Sequence, residues 1–182
     1  QLSLMLKNAQ RHRDNPAFQA DMLATVEHVV ERMNALMLQL RTEARPVESP
    51  RHVELESVLR RVCAAKADPR VPIDLKSTGS TVILGHEDRL EHVIGHLVQN
   101  GIDASLPAGR IEVDVGSEDR FGVLRVIDHG VGMTPEFVRE RLFKPFQTTK
   151  PSGMGIGVYE SHQYVLGVGG DIRIDSQPGS GT

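Results

Sequence analysis

Four short stretches of the sequence carry side chains whose types and spacing could do chemistry. The first, Asp128-His129-Gly130-Val131-Gly132-Met133, follows the alternating run Val123-Leu124-Arg125-Val126-Ile127, which has the pattern of a strand. A carboxylate leaving a strand end suits a flat ligand that offers an N–H donor, such as an adenine amino group. The two glycines permit positive φ and close approach of another group. A turn that merely reverses the chain is the bland alternative. In the second stretch, His96, Asn100 and Asp103 stand at spacings of four and three, which puts them on one helix face. An amide oxygen on a helix can ligate a Mg2+ that also bridges phosphates; a surface or capping asparagine is the other option.

The third stretch is Leu142-Phe143-Lys144-Pro145-Phe146-Gln147-Thr148-Thr149-Lys150. Phe143 and Phe146 flank a proline, a pattern suited to an apolar plug at the root of a loop, which is one way to anchor a lid. Lys150 could reach a phosphate or simply be solvated. Fourth, Gly153-Met154-Gly155-Ile156-Gly157 opens a predicted helix running to about Leu166. Glycines ahead of a helix let backbone N–H groups converge on an anion, and the helix dipole adds to the attraction. The spacing is neither G-x-G-x-x-G after a strand nor G-x-x-x-x-G-K-S/T, which disfavours the dinucleotide fold and the P-loop.

These stretches need elements to hold them. Residues 1–13 read as a helix, stopped at Asp14-Asn15 and restarted by Pro16 into a second helix reaching about Ala44. Its apolar residues Leu23, Val26, Val30, Met33, Met37 and Leu40 recur in steps of three and four, a heptad seam. Two copies of such a hairpin would bury the seam in a dimeric four-helix bundle; a monomeric hairpin packed on the next domain is the alternative. Residues 46–50 read as a linker, with Pro46 and Pro50 and no periodicity. A helix is expected over Val53–Ala67, strands over 71–75 and 81–84, and a helix opened by His86-Glu87-Asp88 and running to Ala104. A β-hairpin is expected from 110–115 and 121–127 around the turn 116–120, then a short helix at Thr134-Pro135. Helices mixed with antiparallel strands and no repeating βα unit predict an α+β, two-layer α/β sandwich over residues 51–182, preceded by the helical hairpin of 1–45.

Composition bounds the function. With 182 residues, 39% hydrophobic and 25% charged, the chain reads as soluble and globular, one ordinary domain with a small appendage. A net charge of −3 with no Trp, two Tyr and five Phe gives no reason to expect a nucleic-acid surface. No apolar run reaches the length of a membrane span and no signal peptide opens the sequence. The single cysteine, Cys63, excludes an internal disulfide and fits a reducing compartment, so the expected location is cytoplasmic, including the cytoplasmic part of an inner-membrane protein.

Taken in order, the four stretches resemble the ATP-binding catalytic domain of sensor histidine kinases, in the ATPase superfamily shared with Hsp90, DNA gyrase and MutL. Asn100 matches the N box and Asp128-x-Gly130-x-Gly132 the G1 box. Phe143-x-x-Phe146 matches the F box, Gly153-x-Gly155-x-Gly157 the G2 box, and Gly179-Ser180-Gly181-Thr182 the final Gly-x-Gly-Thr. The preceding hairpin resembles part of a dimerisation and histidine-phosphotransfer domain. Its Lys7-Asn8-Ala9 and Asn15-Pro16-Ala17-Phe18 surroundings are similar to kinases linked to bacterial exopolysaccharide and exosortase systems.

The resemblance implies an ATP site made of His96, Asn100, Asp103, Asp128, Gly130, Gly132, Met133, Phe143, Phe146, Lys150, Gly153, Met154, Gly155, Ile156, Gly157 and Thr182. In it Asp128 would accept the adenine amino hydrogen, Asn100 would hold Mg2+, and the glycines of 153–157 would line the triphosphate through their backbone. Thr182 would sit near the adenine and Asp128, and Lys150 would belong to the lid. The implied activity is transfer of the γ-phosphoryl of ATP to a histidine and on to a response regulator. The implied partners are a second copy of the chain and a receiver domain.

The match has gaps. None of the eight histidines has the family's phosphoacceptor context: Arg-Asp-Asn follows His12 and Val-Val-Glu follows His28. The acceptor is therefore expected ahead of Gln1 and a last strand after Thr182, so that this segment cannot autophosphorylate. His96 and His129 stand where the family usually has Asn; a pH-dependent phosphate affinity through their protonation is one reading and simple tolerance of the exchange the other. A non-kinase ATPase of the superfamily and a degenerate scaffold that has lost nucleotide stay open as alternatives.

Overall fold

Asn15 and Pro16 start the first described helix as their chemistry predicts. The Asn15 Oδ1 accepts from the backbone N–H groups of Ala17 (3.0 Å) and Phe18 (3.4 Å), and Pro16, whose fixed φ suits a first turn, needs no N–H partner there. The computed structural model describes residues 15–43, 49–107, 109–150 and 153–182, and within the first helix the side chains of 15–27, 29, 30 and 33. The predicted helix of 1–13, Lys7-Asn8-Ala9, His12, the side chains of His28, Met37 and Leu40, and residues 46–48 of the linker lie outside the described residues. The chain divides into two compact units, Gln1–Val47 and Glu48–Thr182.

In the first unit, helix α1 spans Pro16–Glu43. Leu23, Val26, Val30 and Met33 of the predicted seam are exposed along it. A stripe of this length gains its hydrophobic free energy only when something covers it.

The second unit opens with a correction. A helix is expected from Val53, but Arg51–Glu54 form strand β1, and helix α2 spans Leu55–Ala65. Strand β1 runs antiparallel to β3 (Val82–Gly85), with Val53 opposite Ile83. The Leu55 N–H then donates to the Thr81 carbonyl at 2.9 Å. Pairing with a partner remote in sequence overrides local helical preference, and β-branched Val53 suits the strand. Helix α2 buries Leu55, Val58, Leu59 and Val62, whose i, i+3, i+4 and i+7 positions fall on one face.

Strand β2 (Ile73–Ser77) is parallel to β4 (Ile111–Glu118), which is antiparallel to β5 (Phe121–Asp128). The expected strand of 71–75 thus begins two residues late. Pro72 has no N–H for a ladder, and Val71 instead closes a turn on Asp68, its N–H 3.0 Å from the Asp68 carbonyl. The β4–β5 hairpin is tighter than expected: Gly116, Ser117 and Glu118 pair within the ladder, leaving Asp119-Arg120 as the turn. Asp119 takes the positive φ (53°) that such a short connection requires.

Strands β1 and β3 form one sheet and β2, β4 and β5 another. The sheets meet at Gly122 of β5, where an added Cβ would lie 2.5 Å from Ile83 Cγ2. Helix α3 (Glu87–Ala104) buries Leu90, Val93, Ile94, Val98 and Gly101, and it touches β4, β5, α2 and the later helix α5. Helix α4 (Pro135–Glu140) is capped by Thr134, whose side chain accepts from the Phe137 N–H, and α5 spans Gly157–Gly167. The core is formed by α2 and α3 against the sheets, centred on Leu59, Ile94, Val98, Ile111 and Val113. This is the α+β two-layer sandwich expected. Cys63 is partly buried beside that core, and burial pushes its thiol pKa up, as suits a structural rather than a reactive cysteine.

Leu59 is fully buried. Truncation to Ala should therefore cost about 2–5 kcal/mol, read as a lowered urea midpoint with an unchanged m-value.

Candidate functional site

Asp128 ends β5 and is only 7% exposed. Its backbone is paired in both directions with the chain's last residue: the Asp128 N–H donates to the Thr182 carbonyl (2.9 Å) and the Thr182 N–H to the Asp128 carbonyl (3.2 Å). Its side-chain Oδ1 accepts from the Gly130 N–H at 2.9 Å. Among the described residues no hydrogen bond engages the other carboxylate oxygen.

The glycines around Asp128 allow one backbone to rest on another. Gly101 brings α3 onto the strands: a Cβ there would lie 2.9 Å from Ile111 Cδ1 and 3.5 Å from Asp128 Cβ. At Gly130 a Cβ would fall 2.1 Å from the Ala104 carbonyl oxygen, which accepts from the next residue, Val131 (3.0 Å). Gly132, with φ of +64°, lies against the Gln177 carbonyl, and Gly181, with φ of +95°, against that of Asp128; Cβ atoms would come within 1.9 and 2.0 Å of those oxygens. The Gly179 N–H reaches back to the Val131 carbonyl at 2.8 Å. Ser176 Oγ completes the junction, accepting from the Met133 N–H (2.8 Å) and donating to the Gly181 carbonyl (3.0 Å), with Thr182 Oγ1 3.0 Å away. Thr182 and Met133 therefore do stand by Asp128.

The second group sits on α3. The Lys150 Nζ lies 2.9 Å from Asn100 Oδ1 and 2.7 Å from Asp103 Oδ2. Asp103 Oδ1 accepts from Gln99 Nε2 (2.8 Å), and Gln99 Oε1 accepts from Lys66 Nζ (2.9 Å). Burial raises the Asp103 pKa, but the hydrogen bonds from Lys150 and Gln99 outweigh it and hold the carboxyl below its usual value. Two oxygens converging on one ammonium show a donor set suited to a hard cation. No cluster of three or more His, Cys, Asp or Glu among the described residues could hold a metal unaided, so a metal here would need oxygens from its ligand. With phosphates present, the residues fit Mg2+.

His96 is one turn before Asn100 and faces α5: a Cβ on Gly157 would lie 3.1 Å from its Nδ1, and its ring meets that of His92 at 4.3 Å. His129 turns elsewhere. It is exposed, with Nε2 3.2 Å from Glu112 Oε1 on β4. The Lys76 and His129 hydrogen bonds hold the Glu112 carboxyl at about 2. The His129 ring thus engages β4.

The third and fourth stretches meet. Phe143 stacks on His162 of α5 at 4.2 Å, so the plug docks on that helix. Phe146 adopts φ of 64°, and its N–H donates to the Gly155 carbonyl at 2.8 Å, closing the loop at its root. Gly155 (φ +65°) rests on the Gln147 backbone, 2.6 Å from where its Cβ would be. Ile156 is buried and Met154 exposed. The Gly153 N–H is taken by the Lys150 carbonyl at 3.1 Å, so it is committed within the loop and not presented to an anion. The first-turn N–H groups of α5, beginning at Gly157, keep the orientation that favours negative charge.

Gln99, Lys66 and Ser176 escaped the sequence reading. Gln99 had a signal, since it lies four residues before Asp103 on the same helix face; Lys66 and Ser176 are brought in by tertiary packing alone.

Gly132→Ala should destabilise the chain by at least about 1 kcal/mol in urea unfolding, since it combines positive φ with a carbonyl contact. For Asp103, a folded pKa below the unfolded one means stabilisation present above the ordinary aspartate range and lost as pH falls through the lowered value. Carboxyl NMR titration should show that lowered midpoint return towards the ordinary aspartate range in Lys150→Met.

Residues 85–182 match the model of the family described as histidine kinase-, DNA gyrase B-, and HSP90-like ATPase. The C4-dicarboxylate transport sensor protein DctB of Rhizobium meliloti (strain 1021) is 33% identical over 180 residues, covering 94% of this chain and 28% of that protein. Sporulation kinase D of Bacillus subtilis (strain 168) is 31% identical over 96 residues, 53% of this chain and 19% of that protein. The chain thus spans less than a third of either relative's length. Among solved structures, the mycobacterial sensor histidine kinase MprB superimposes with a TM-score of 0.63 at 26% identity, over 69% of this chain and 85% of that one. Full-length ShkA in complex with AMPPNP, at 22% identity and a TM-score of 0.67 over 91% of this chain and 36% of that one, shares the fold. The chain belongs to the histidine kinase-, DNA gyrase B- and HSP90-like ATPase family, as a sensor-histidine-kinase ATP-binding catalytic domain.

Proposed function

We propose that residues 51–182 bind Mg2+-ATP and deliver its γ-phosphoryl to a histidine, from which a response-regulator aspartate takes it. The observation that carries this reading is the Asp128 carboxylate: buried at a strand end, with one oxygen held by Gly130 and the other engaged by no described residue. That second oxygen is not among the buried unpartnered side-chain atoms of the described residues, so it is open to solvent and to the N–H donor of an adenine amino group. Asn100 would hold the Mg2+, with Asp103 beside it. That ion, when bound, neutralises phosphate charge. The first turn of α5 favours the triphosphate, and the Phe143–His162 stack holds the root of the Lys150 loop against that helix.

The protein's part in phosphoryl transfer is then mainly to position the nucleotide and exclude misalignment. The acceptor is an imidazole, whose neutral nitrogen is nucleophilic near pH 7; none of the eight histidines here has the acceptor context of the family. The exposed Leu23, Val26, Val30 and Met33 of α1 support a homodimer formed through the helical hairpin.

Calorimetric titration with a non-hydrolysable ATP analogue tests the site. We expect saturable binding, weakened at least about tenfold by Asp128→Asn through loss of a hydrogen bond to a charged group, and loss of Mg2+ dependence in Asn100→Ala. No binding by the folded parent chain would instead identify a scaffold that has lost nucleotide.

A further inference from the structure

Lys150 has more defined contacts than a solvated lysine needs. Its backbone N–H donates to Thr148 Oγ1 (3.0 Å), its carbonyl accepts from the Gly153 N–H (3.1 Å), and its ammonium reaches two oxygens on α3. Asp103 is itself preset by Gln99, and Gln99 by Lys66 at the end of α2, so the oxygens await a cation at a defined place. The loop's root is closed separately, by the Phe146 N–H on the Gly155 carbonyl, so the ammonium can leave α3 while that root stays formed.

We propose that Lys150 is a built-in cation that occupies the divalent-cation position of the nucleotide-free protein, so that Mg2+ must displace it from Asn100 and Asp103. The inference rests on the Mg2+-nucleotide reading of this site and adds to it a competitor encoded in the chain. Its logic is electrostatic. Asp103 would repel phosphates unless a cation neutralised it, and either cation does so; the two cannot share the same oxygens. The Lys150–Asp103 pair is over a third exposed on both sides, which makes it weak and exchangeable, unlike a buried pair. Once displaced, the ammonium is free to meet the phosphates from the loop side. Nucleotide entry would then couple directly to release of the loop from α3.

The test is the rate at which an amine-acylating reagent modifies Lys150, read by peptide mass spectrometry on the whole 182-residue chain without nucleotide. Asp103→Asn should raise that rate about two- to fivefold, the range a partly exposed ion pair supports, while Lys144 and Lys76 in the same sample serve as controls. Millimolar Mg2+ alone should raise the rate in the parent chain and leave it unchanged in Asp103→Asn. Adding Mg2+ with a non-hydrolysable ATP analogue should abolish the difference between parent and variant. Equal rates in parent and Asp103→Asn, with no response to Mg2+, would overturn the proposal even if calorimetry shows nucleotide binding. A Lys150 that responds to Asp103→Asn and to Mg2+ in a chain that binds no nucleotide would support the cation exchange and overturn the nucleotide reading instead.

Discussion

The candidate site depends on backbone meeting backbone around Asp128. Four segments converge there: the last turn of α3, the end of β5, the loop after it and the chain's final hairpin. The three that meet the end of β5 approach through glycines, Gly101 from α3, Gly130 and Gly132 from the loop and Gly181 from the last segment, where an added Cβ would strike an atom 2.9 Å away or nearer. Backbone carbonyls cannot move aside as a flexible side chain can, so at 130, 132 and 181 the constraint is steric and nearly absolute. The result is a buried carboxylate whose position is set by the Gly130 N–H on its Oδ1 and by the backbone pairing of Asp128 with Thr182, 54 positions on by sequence number.

The glycines therefore have two duties that the sequence motif does not separate. Those of the Asp128 loop are packing glycines. Gly155 and Gly157 are packing glycines too, one against Gln147 and the other against His96, while Gly153 closes a turn on Lys150. Anion affinity at the start of α5 rests on the helix's own first-turn N–H groups, with the glycines permitting its close approach to α3.

Polar contacts in the site are arranged by exposure. The Asp128 junction centres on a buried residue and is held mostly by bonds to backbone groups, whereas the Lys66–Gln99–Asp103–Lys150–Asn100 chain is partly exposed and built of side chains. Buried backbone bonds resist rearrangement; partly exposed ion pairs exchange with solvent and ions at little cost. One part of the site is suited to recognising a fixed shape and the other to changing partners.

Periodicity and motif order were enough to read the sandwich, α3 with its row of His96, Asn100 and Asp103, the β4–β5 hairpin and Asp128 at its end. Each of those signals is local: a repeat of 3.6 or 2, a cap, or a short run of glycines. The start of the catalytic unit was not legible in that way, because Arg51–Glu54 have helical neighbours and become a strand only by pairing with β3. His129 likewise adjoins Asp128 in the motif, yet its ring lies against Glu112 on the adjoining strand, a partner 17 positions earlier. The capture of Lys150 by two oxygens about fifty positions earlier is the same kind of fact. Local spacing says which residues share a face, but which groups meet across the fold depends on long-range packing, and no window of the sequence contains both partners.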